Sequence, residues 1–322
     1  MTESDTLASL GESGTLGRIF PRLPSAAGQL LGPGDDSAVV AAPDARFVVT
    51  TDLMIHGPDF RLAWSSPHDL GWKAAASNLA DIAAMGAVPT ALVVAIAAPA
   101  DSPIALLEGI ADGLRDGCSA MAPGCGVVGG DLSVSPTLTI AVTAFGDLGG
   151  RDPVLRLGAT AGDQVAASGP LGAAAAGLQL LFTEAVDADG EPDARRAAEL
   201  RDRTTAQLAP TPPIGDGLLA AVGGATAMLD LSDGLAIDSA RLAKASGVGV
   251  DFESTLLGPD VRLALGGGED HSLLATFPAS AALPGGFRRI GTVFAGEGIR
   301  VDGAPVPSSG WDPYRSWDGG QG

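Results

Sequence analysis

Lysine is scarce in this chain. Only Lys73 and Lys244 occur among 322 residues, and 38 acidic side chains face 19 basic ones, for a formal net charge of −19. Nucleic acids and anionic membranes are bound through basic patches, so this balance argues against both as partners. A phosphate ligand would need metal ions, arginine side chains or backbone N–H groups between its oxygens and the carboxylates.

Long apolar runs and a cysteine framework are also missing. The longest apolar stretch, 91–100, is about half of what a membrane-spanning helix needs. The first ten residues carry acidic side chains where a secretory signal carries basic ones. Cys118 and Cys125 are too few for a disulfide framework and are interpreted as small buried side chains rather than metal ligands. We therefore expect a soluble, cytoplasmic protein.

Strand-like and helix-like segments alternate, which predicts an α/β protein with mixed rather than purely parallel sheets. At roughly 100–200 residues per domain the length predicts two domains, and a pair of glycines places the boundary between 1–149 and 150–322. The predicted strands are 46–51, 90–97, 137–146, 164–168, 225–231 and 272–277, and the predicted helices are 66–84, 102–121, a helix from about 172, 187–207 and 234–246.

The clearest helix start lies at Ser66. This residue is a good N-cap, Pro67 suits the first turn, and Asp69 stands three residues after the cap. Gly86 provides the stop signal.

Aspartates fall in five clusters beside glycines or at the ends of predicted strands, where open α/β folds bind ligands. Carboxylates and hydroxyls with little lysine nearby suit hard cations, above all Mg²⁺. The clusters are Gly34-Asp35-Asp36, Thr50-Thr51-Asp52, Asp81, Gly129-Gly130-Asp131 and Asp230-Leu231-Ser232-Asp233.

Each cluster also has a purely structural interpretation. Gly-Asp-Asp could be a turn, Thr-Thr-Asp a strand-end cap, and Ser232 or Asp233 the N-cap of the following helix. Asp81 is harder to explain in this way, because it lies in an apolar helical segment where an unpaired buried carboxylate is costly. Lys73 is two turns away and is not expected to pair with it, so a metal-binding or hydrogen-bonding role is favoured.

Familiar nucleotide and nucleophile motifs are not found. The segment 124–129 matches G-x-G-x-x-G, but a strand rather than a helix is predicted to follow it, which argues against a dinucleotide fingerprint. Neither lysine completes a Walker A loop, and no Ser, Cys or His stands in a nucleophilic arrangement.

The acidic clusters and their surroundings closely resemble thiamine-monophosphate kinases, in order and approximate spacing, from about 11 to 311. The most specific segment is 78–87 (NLADIAAMGA), while the others recur more loosely in aminoimidazole-ribonucleotide synthetases, selenophosphate synthetases and hydrogenase-maturation proteins. The resembling segments are 34–40, 50–52, 65–73, 78–87, 129–131, 230–235 and 267–270.

The resemblance implies a two-domain aminoimidazole-ribonucleotide-synthetase-like fold. Its N-terminal sheet would form a homodimer, and its C-terminal α/β domain would close over the nucleotide. The implied reaction is direct in-line transfer of the ATP γ-phosphoryl group to thiamine monophosphate, giving thiamine diphosphate and ADP with the help of several Mg²⁺ ions. The acceptor phosphate is already ionised at neutral pH, so no general base is required.

Matching positions also imply roles for individual residues. The implied magnesium ligands are Asp36, Thr50, Thr51, Asp52, Asp81, Asp131, Asp230 and Asp233. The implied ATP contacts are Gly130, Asp131, Arg156 and Ser232, and the implied acceptor contacts are Asp59, Glu269 and Trp311. Catalysis is expected to depend on Asp36, Asp81, Asp131, Arg156 and Asp233.

The chain departs from the family pattern mainly at the acceptor side. Asp59 stands where the family often has His, 158–163 lacks a common lysine, and His271-Ser272 replaces Tyr-Glu. Two alternatives therefore stay open, an ATP-dependent relative with another acceptor and a non-catalytic nucleotide-binding scaffold. Selenophosphate synthesis and hydrogenase maturation are disfavoured, because cysteines are missing near the N-terminus and at the C-terminus respectively.

Overall fold

The computed structural model describes residues 5–31 and 38–310, without the side chains of 11–13. Its helices are α1 (Leu7–Ile19), α2 (Pro67–Ala84), α3 (Ile104–Met121), α4 (Ala173–Glu184), α5 (Ala194–Glu199), α6 (Arg201–Leu208), α7 (Ile214–Val222), α8 (Leu235–Ser246) and α9 (Val261–Gly266). Its strands are β1 (Gln29–Leu31), β2 (Val39–Val40), β3 (Val48–Ile55), β4 (Val88–Ala98), β5 (Gly126–Val134), β6 (Thr139–Asp147), β7 (Gln164–Ser168), β8 (Ala227–Leu231), β9 (Gly249–Phe252), β10 (Ser272–Phe277), β11 (Arg288–Phe294), β12 (Gly298–Val301) and β13 (Ala304–Val306). None of the helices within these ranges is long and apolar enough to span a bilayer.

The larger strands form two mixed sheets, as predicted. The first has the order β3-β6-β4-β5, in which only the β4–β5 pair is parallel because α3 connects the two strands as a crossover. The second has the order β13-β12-β9-β11-β7-β10-β8. Its pairs are antiparallel except for β12 and β9.

Helix α2 lies between the two sheets. On one side it contacts β3, β4 and β6, and on the other it contacts β8, β10 and α7. Leu79 and Ile82 of α2 share one core cluster with Phe277 of β10, whereas Leu274 faces a second core beneath α8. Alternation along β10 therefore gives the second sheet two buried faces, one of which packs towards α2.

Glycines allow neighbouring helices to approach α2 at backbone distance. A Cβ atom on Gly113 of α3 would lie 2.0 Å from the carbonyl oxygen of His68 in α2. A Cβ on Gly217 of α7 would lie 2.1 Å from the carbonyl oxygen of Ala83. No larger residue fits at either contact without moving a helix.

The start of α2 is built as predicted. Ser66 and Asp69 form a reciprocal capping box, with Pro67 in the first turn and Gly86 in a left-handed conformation after the helix. Both oxygens of Asp69 also accept hydrogen bonds from the guanidinium of Arg201 at the start of α6. Asp69 is 1% exposed, so this charged pair joins α6 to the buried end of α2.

Several sequence-based boundaries were wrong. The Thr50-Thr51-Asp52 cluster lies in the middle of β3 rather than at its end, because pairing with β6 continues to Ile55. Gly129-Gly130-Asp131 likewise lies inside β5. The single helix predicted for 187–207 is two helices, since the chain turns back at Val186–Pro192 and restarts with Asp193 as N-cap.

The close contact between α2 and α3 predicts that Gly113→Ala destabilises the fold. The added methyl group must push the two helices apart, and we expect the free energy of unfolding to fall by about 1–3 kcal/mol. Gly215→Ala is the matched control, because nothing lies within 4 Å of its Cβ position in α7. This helical substitution should leave stability unchanged or raise it by up to about 1 kcal/mol. Equal effects in urea unfolding would contradict the proposed packing constraint.

The pair between Asp69 and Arg201 predicts a second stability effect. Arg201→Met leaves a buried carboxylate without its guanidinium, which should reduce the free energy of unfolding by roughly 1–3 kcal/mol. Arg195→Met is the control, because Arg195 pairs with Glu199 where both side chains are more than half exposed. Its loss should cost less than about 1 kcal/mol. Thermal unfolding of both variants tests this prediction. An unchanged melting temperature in Arg201→Met would show that the pair does not anchor α6.

Candidate active site

A polar stripe runs along one face of the buried helix α2. Lys73, Ser77 and Asp81 are spaced four residues apart, so their side chains lie above one another on the same face. All three lie near acidic groups of other elements. Asp52 of β3 and Asp230 of β8 both act electrostatically on Asp81. The stripe is therefore where the two sheets bring their carboxylates together.

Strand β3 contributes alternate residues to this stripe. The Thr50 hydroxyl donates to Asp81 Oδ2 at 2.6 Å, and Ser77 is a polar neighbour of Asp52. Thr51 points to the other face of β3, where its hydroxyl donates to the carbonyl oxygen of Val142 at 3.0 Å. The structure thus brings Thr50 and Asp52 to Asp81 and places Thr51 away from them, because side chains alternate along a strand.

Strand β8 supplies the third carboxylate. Met228 packs into the core around α2, and alternation puts Asp230 on the same face. Asp230 is 7% exposed and lies 3.4 Å from Nδ1 of His271, measured from its Oδ2.

The carboxylates oppose one another's ionisation. Burial, together with the negative charges of Asp230 and Asp52, raises the pKa of Asp81 to about 7. Burial also raises the pKa of Asp52, and Asp230 and Glu269 add to the shift. A site with this electrostatic character favours the binding of cations.

Two cationic or protonatable groups border the carboxylates. Burial alone would lower the pKa of His271, but its hydrogen bond to Asp230 and the charges of Glu269 and Asp230 raise it above the ordinary value. Lys73 forms an ion pair with Glu269. Neither Lys73 nor His271 was predicted to lie beside the carboxylates. The four-residue spacing of Lys73, Ser77 and Asp81 is the signal that could have placed Lys73 there.

The loop before β10 holds Glu269 and His271 in strained backbone conformations. Their φ angles are 69° and 49°, in the left-handed region that non-glycine residues rarely adopt. Asp270 between them points the other way and accepts hydrogen bonds from the backbone N–H groups of Gly172 and Ala174 at the start of α4. This buried cap fixes the loop, so Glu269 and His271 both point towards α2.

Residues after β8 form an adjoining acidic group. The start of α8 is capped by neither Ser232 nor Asp233; instead Asp238 accepts hydrogen bonds from the backbone N–H groups of Asp233 and Gly234. Burial raises the pKa of Asp238 to about 6, and the charges of Asp230 and Asp233 act in the same direction. Asp233 is bound by Arg241 at 2.6 Å. Asp238 was not predicted, because its role depends on the backbone turn that precedes α8.

The remaining predicted residues lie elsewhere or outside the described residues. Arg156 is exposed, and its carbonyl oxygen accepts from the Ser246 hydroxyl at 3.1 Å. Gly130 and Asp131 line an apolar cleft of about 1000 Å³ that also includes Phe47 and Phe145. A Cβ on Gly130 would lie 1.9 Å from the carbonyl oxygen of Val94, so only glycine fits there. Asp36 and Trp311 lie outside the described residues.

The donor atoms of this site fit Mg²⁺. Thr50, Asp52, Asp81 and Asp230 offer only oxygen atoms, as hard divalent cations require. Across residues 5–31 and 38–310, no three His, Cys, Asp or Glu side chains are arranged to hold an ion by themselves. Mg²⁺ does not need such a cage, since it commonly keeps several waters and binds one or two carboxylates plus substrate phosphates.

Comparisons with known proteins agree on one family. Residues 34–148 match the family described as AIR synthase related protein, N-terminal domain. The thiamine-monophosphate kinase of Mycobacterium tuberculosis (strain H37Rv) is 43% identical over 332 residues, with 98% of this chain and 93% of that protein covered.

Solved structures give the same result. The crystal structure of thiamine-monophosphate kinase from Stenotrophomonas maltophilia K279a has a TM-score of 0.76 and 30% identity, with 91% of this chain and 97% of that chain covered. A structure described as AaThiL complexed with AMPPCP and TMP has a TM-score of 0.72 and 32% identity, with 96% and 99% covered. The near-complete coverage extends the likeness across both sheets and the site between them. This chain belongs to the thiamine-monophosphate kinase family.

Proposed function

We propose that this chain transfers the γ-phosphoryl group of ATP to thiamine monophosphate, forming thiamine diphosphate and ADP. The observation that carries the proposal is that Asp52 and Asp230 lie beside Asp81 of α2. The chain is also similar to a thiamine-monophosphate kinase over nearly its whole length. Transfer between two anionic phosphates depends on charge screening and alignment rather than on a base. A site built from carboxylates, without a free histidine or cysteine nucleophile among the residues described here, suits that chemistry.

Several Mg²⁺ ions are part of the proposal. When bound, they would screen the repulsion between the two substrates' phosphates and between the carboxylates. Asp52, Asp81 and Asp230, with Thr50, would hold them from the α2 side. Thr51, Asp131 and Asp233, which lie apart from that cluster, and Asp36, which is outside the described residues, complete the proposed set of ligands and would hold further ions.

The nucleotide and the acceptor are proposed to occupy different ends of the site. ATP would contact Gly130, Asp131, Arg156 and Ser232. The acceptor would contact Asp59, Glu269 and Trp311.

Asp59 has neighbours that support its place at the acceptor end. Its carboxylate accepts a hydrogen bond from the backbone N–H of Ile55 at 2.7 Å. Burial raises the pKa of Asp59, the charge of Glu269 raises it further, and the charge of Lys73 opposes both effects. Asp59 stands where the family often has histidine and is within electrostatic range of Glu269, which supports the proposal that both contact the acceptor.

Domain organisation, assembly and location complete the proposal. We place the boundary between domains at 149–150, which separates the strands of the four-stranded sheet from those of the seven-stranded sheet. Phe47, Val49 and Leu53 are each more than half exposed on or beside β3, and this apolar surface supports a homodimer formed through the first sheet. We propose a cytoplasmic enzyme.

The reaction is tested by incubating the protein with ATP, Mg²⁺ and thiamine monophosphate and separating the products by chromatography. We expect thiamine diphosphate and ADP to form in equal amounts. ADP without thiamine diphosphate would contradict the acceptor assignment, and tight nucleotide binding without any turnover would favour a scaffold. Radiolabel on the protein after exposure to γ-labelled ATP alone would contradict direct transfer.

Asp81→Asn should separate catalysis from folding. The amide keeps an acceptor for the Thr50 hydroxyl, so we expect little change in melting temperature, whereas kcat should fall by about a hundredfold or more. Exposed Asp189→Asn is the control and should retain both properties. Parallel losses of stability and activity in Asp81→Asn would show that the carboxylate is structural.

A further inference from the structure

Lys73 is a buried cation at the edge of the site. Its side chain is only 8% exposed, although an isolated ammonium is costly to remove from water. The other lysine, Lys244, is exposed near the end of α8. The burial of Lys73 must therefore be stabilised by specific partners.

Two partners from different elements enclose the Lys73 ammonium. Glu269, in the loop before β10, forms an ion pair with it. With the Gln207 amide oriented so that its nitrogen donates to the carbonyl oxygen of Ala174 at 3.2 Å, its oxygen accepts from Lys73 Nζ at 3.1 Å. Lys73 thus connects α2 to α6 and to the loop before β10. Its ammonium group contacts Glu269 and Gln207 rather than solvent.

The Glu269 side chain is paired with Lys73 and is also partly exposed to solvent. Its side chain is 37% exposed, and its backbone is in the left-handed region at φ 69°. Burial would raise the pKa of Glu269, but the Lys73 charge, followed by that of His271, lowers it below the ordinary value, so the carboxylate is ionised. An ionised side chain this exposed would normally sample several rotamers, and the ion pair restricts them.

We propose that Lys73 is a positioning residue for the phosphoryl acceptor, acting through Glu269 by holding its carboxylate in the orientation that contacts thiamine monophosphate. This inference rests on the proposed function and assigns to Lys73 a role distinct from that of the carboxylates. Asp59 and Glu269 supply the negative charge at this end of the site, and Lys73 fixes the orientation of the Glu269 carboxylate.

The test compares steady-state kinetics of Lys73→Met with those of Lys244→Met. Removal of one charged hydrogen bond should raise KM for thiamine monophosphate about tenfold in Lys73→Met. KM for ATP should change little, and Lys244→Met should match the wild type. Lys73→Met loses a buried ion pair and should melt at a lower temperature, so both KM values are measured well below its unfolding transition. A general structural defect would instead raise both KM values.

A double-mutant cycle shows whether Lys73 acts through Glu269. Glu269→Gln should raise KM for the acceptor, and adding Lys73→Met should produce no further increase. If Lys73→Met does not fold, Lys73→Gln replaces it, because an amide is tolerated at this polar position while its shorter, neutral side chain no longer forms the ion pair that holds Glu269.

Three results would overturn the inference: an unchanged KM for the acceptor, an equal rise in both KM values, or multiplicative effects in the double variant. Failure of the proposed function has a different signature, because the wild-type protein would then not convert thiamine monophosphate at all. That result would also overturn the acceptor role of Lys73.

Discussion

The burial of α2 between two sheets is the constraint on which the rest of the structure depends. Its apolar residues belong to one core that continues from the first sheet to Phe277 of the second. Backbone-distance contacts at Gly113 and Gly217 leave no freedom in how α3 and α7 pack against it. The capping box at Ser66 and the Arg201 pair at Asp69 fix where the helix begins. Every element near the site is therefore positioned relative to this helix.

A buried helix with a polar stripe has an unusual electrostatic consequence. Asp81 cannot be solvated as it would be on a surface, and Asp52 and Asp230 approach it from opposite sheets. The fold thus holds carboxylates together at an electrostatic cost, which bound cations would offset. At the proposed acceptor end the same helix presents Lys73, which pairs with Glu269. One stripe of α2 therefore carries the proposed cation-binding carboxylate at one end and the Lys73–Glu269 ion pair at the other.

Local signals in the sequence predicted the parts of the fold that are decided locally. Ser66, Pro67 and Asp69 specify the start of α2 within one turn, and the class of mixed α/β sheets follows from the alternation of segments. The position of Thr50-Thr51-Asp52 within β3 was predicted wrongly, because the length of that strand depends on pairing with β6, distant in the chain. The pairs Lys73–Glu269 and Asp69–Arg201 could not be read from sequence for the same reason. The carboxylates themselves were found through their residue types and through resemblance to a family, which the comparisons confirmed, whereas the roles proposed for individual residues stay predictions.

The central claim is that the carboxylates gathered on α2 bind the divalent cations that accompany ATP. Its most direct test is a crystal structure grown with Mn²⁺ and a non-hydrolysable ATP analogue, with the metal positions taken from anomalous scattering. The account predicts anomalous peaks within bonding distance of the Asp52, Asp81 and Asp230 carboxylates, between the analogue's phosphates and α2. Peaks confined to other surfaces, with these three side chains free of metal, would contradict it.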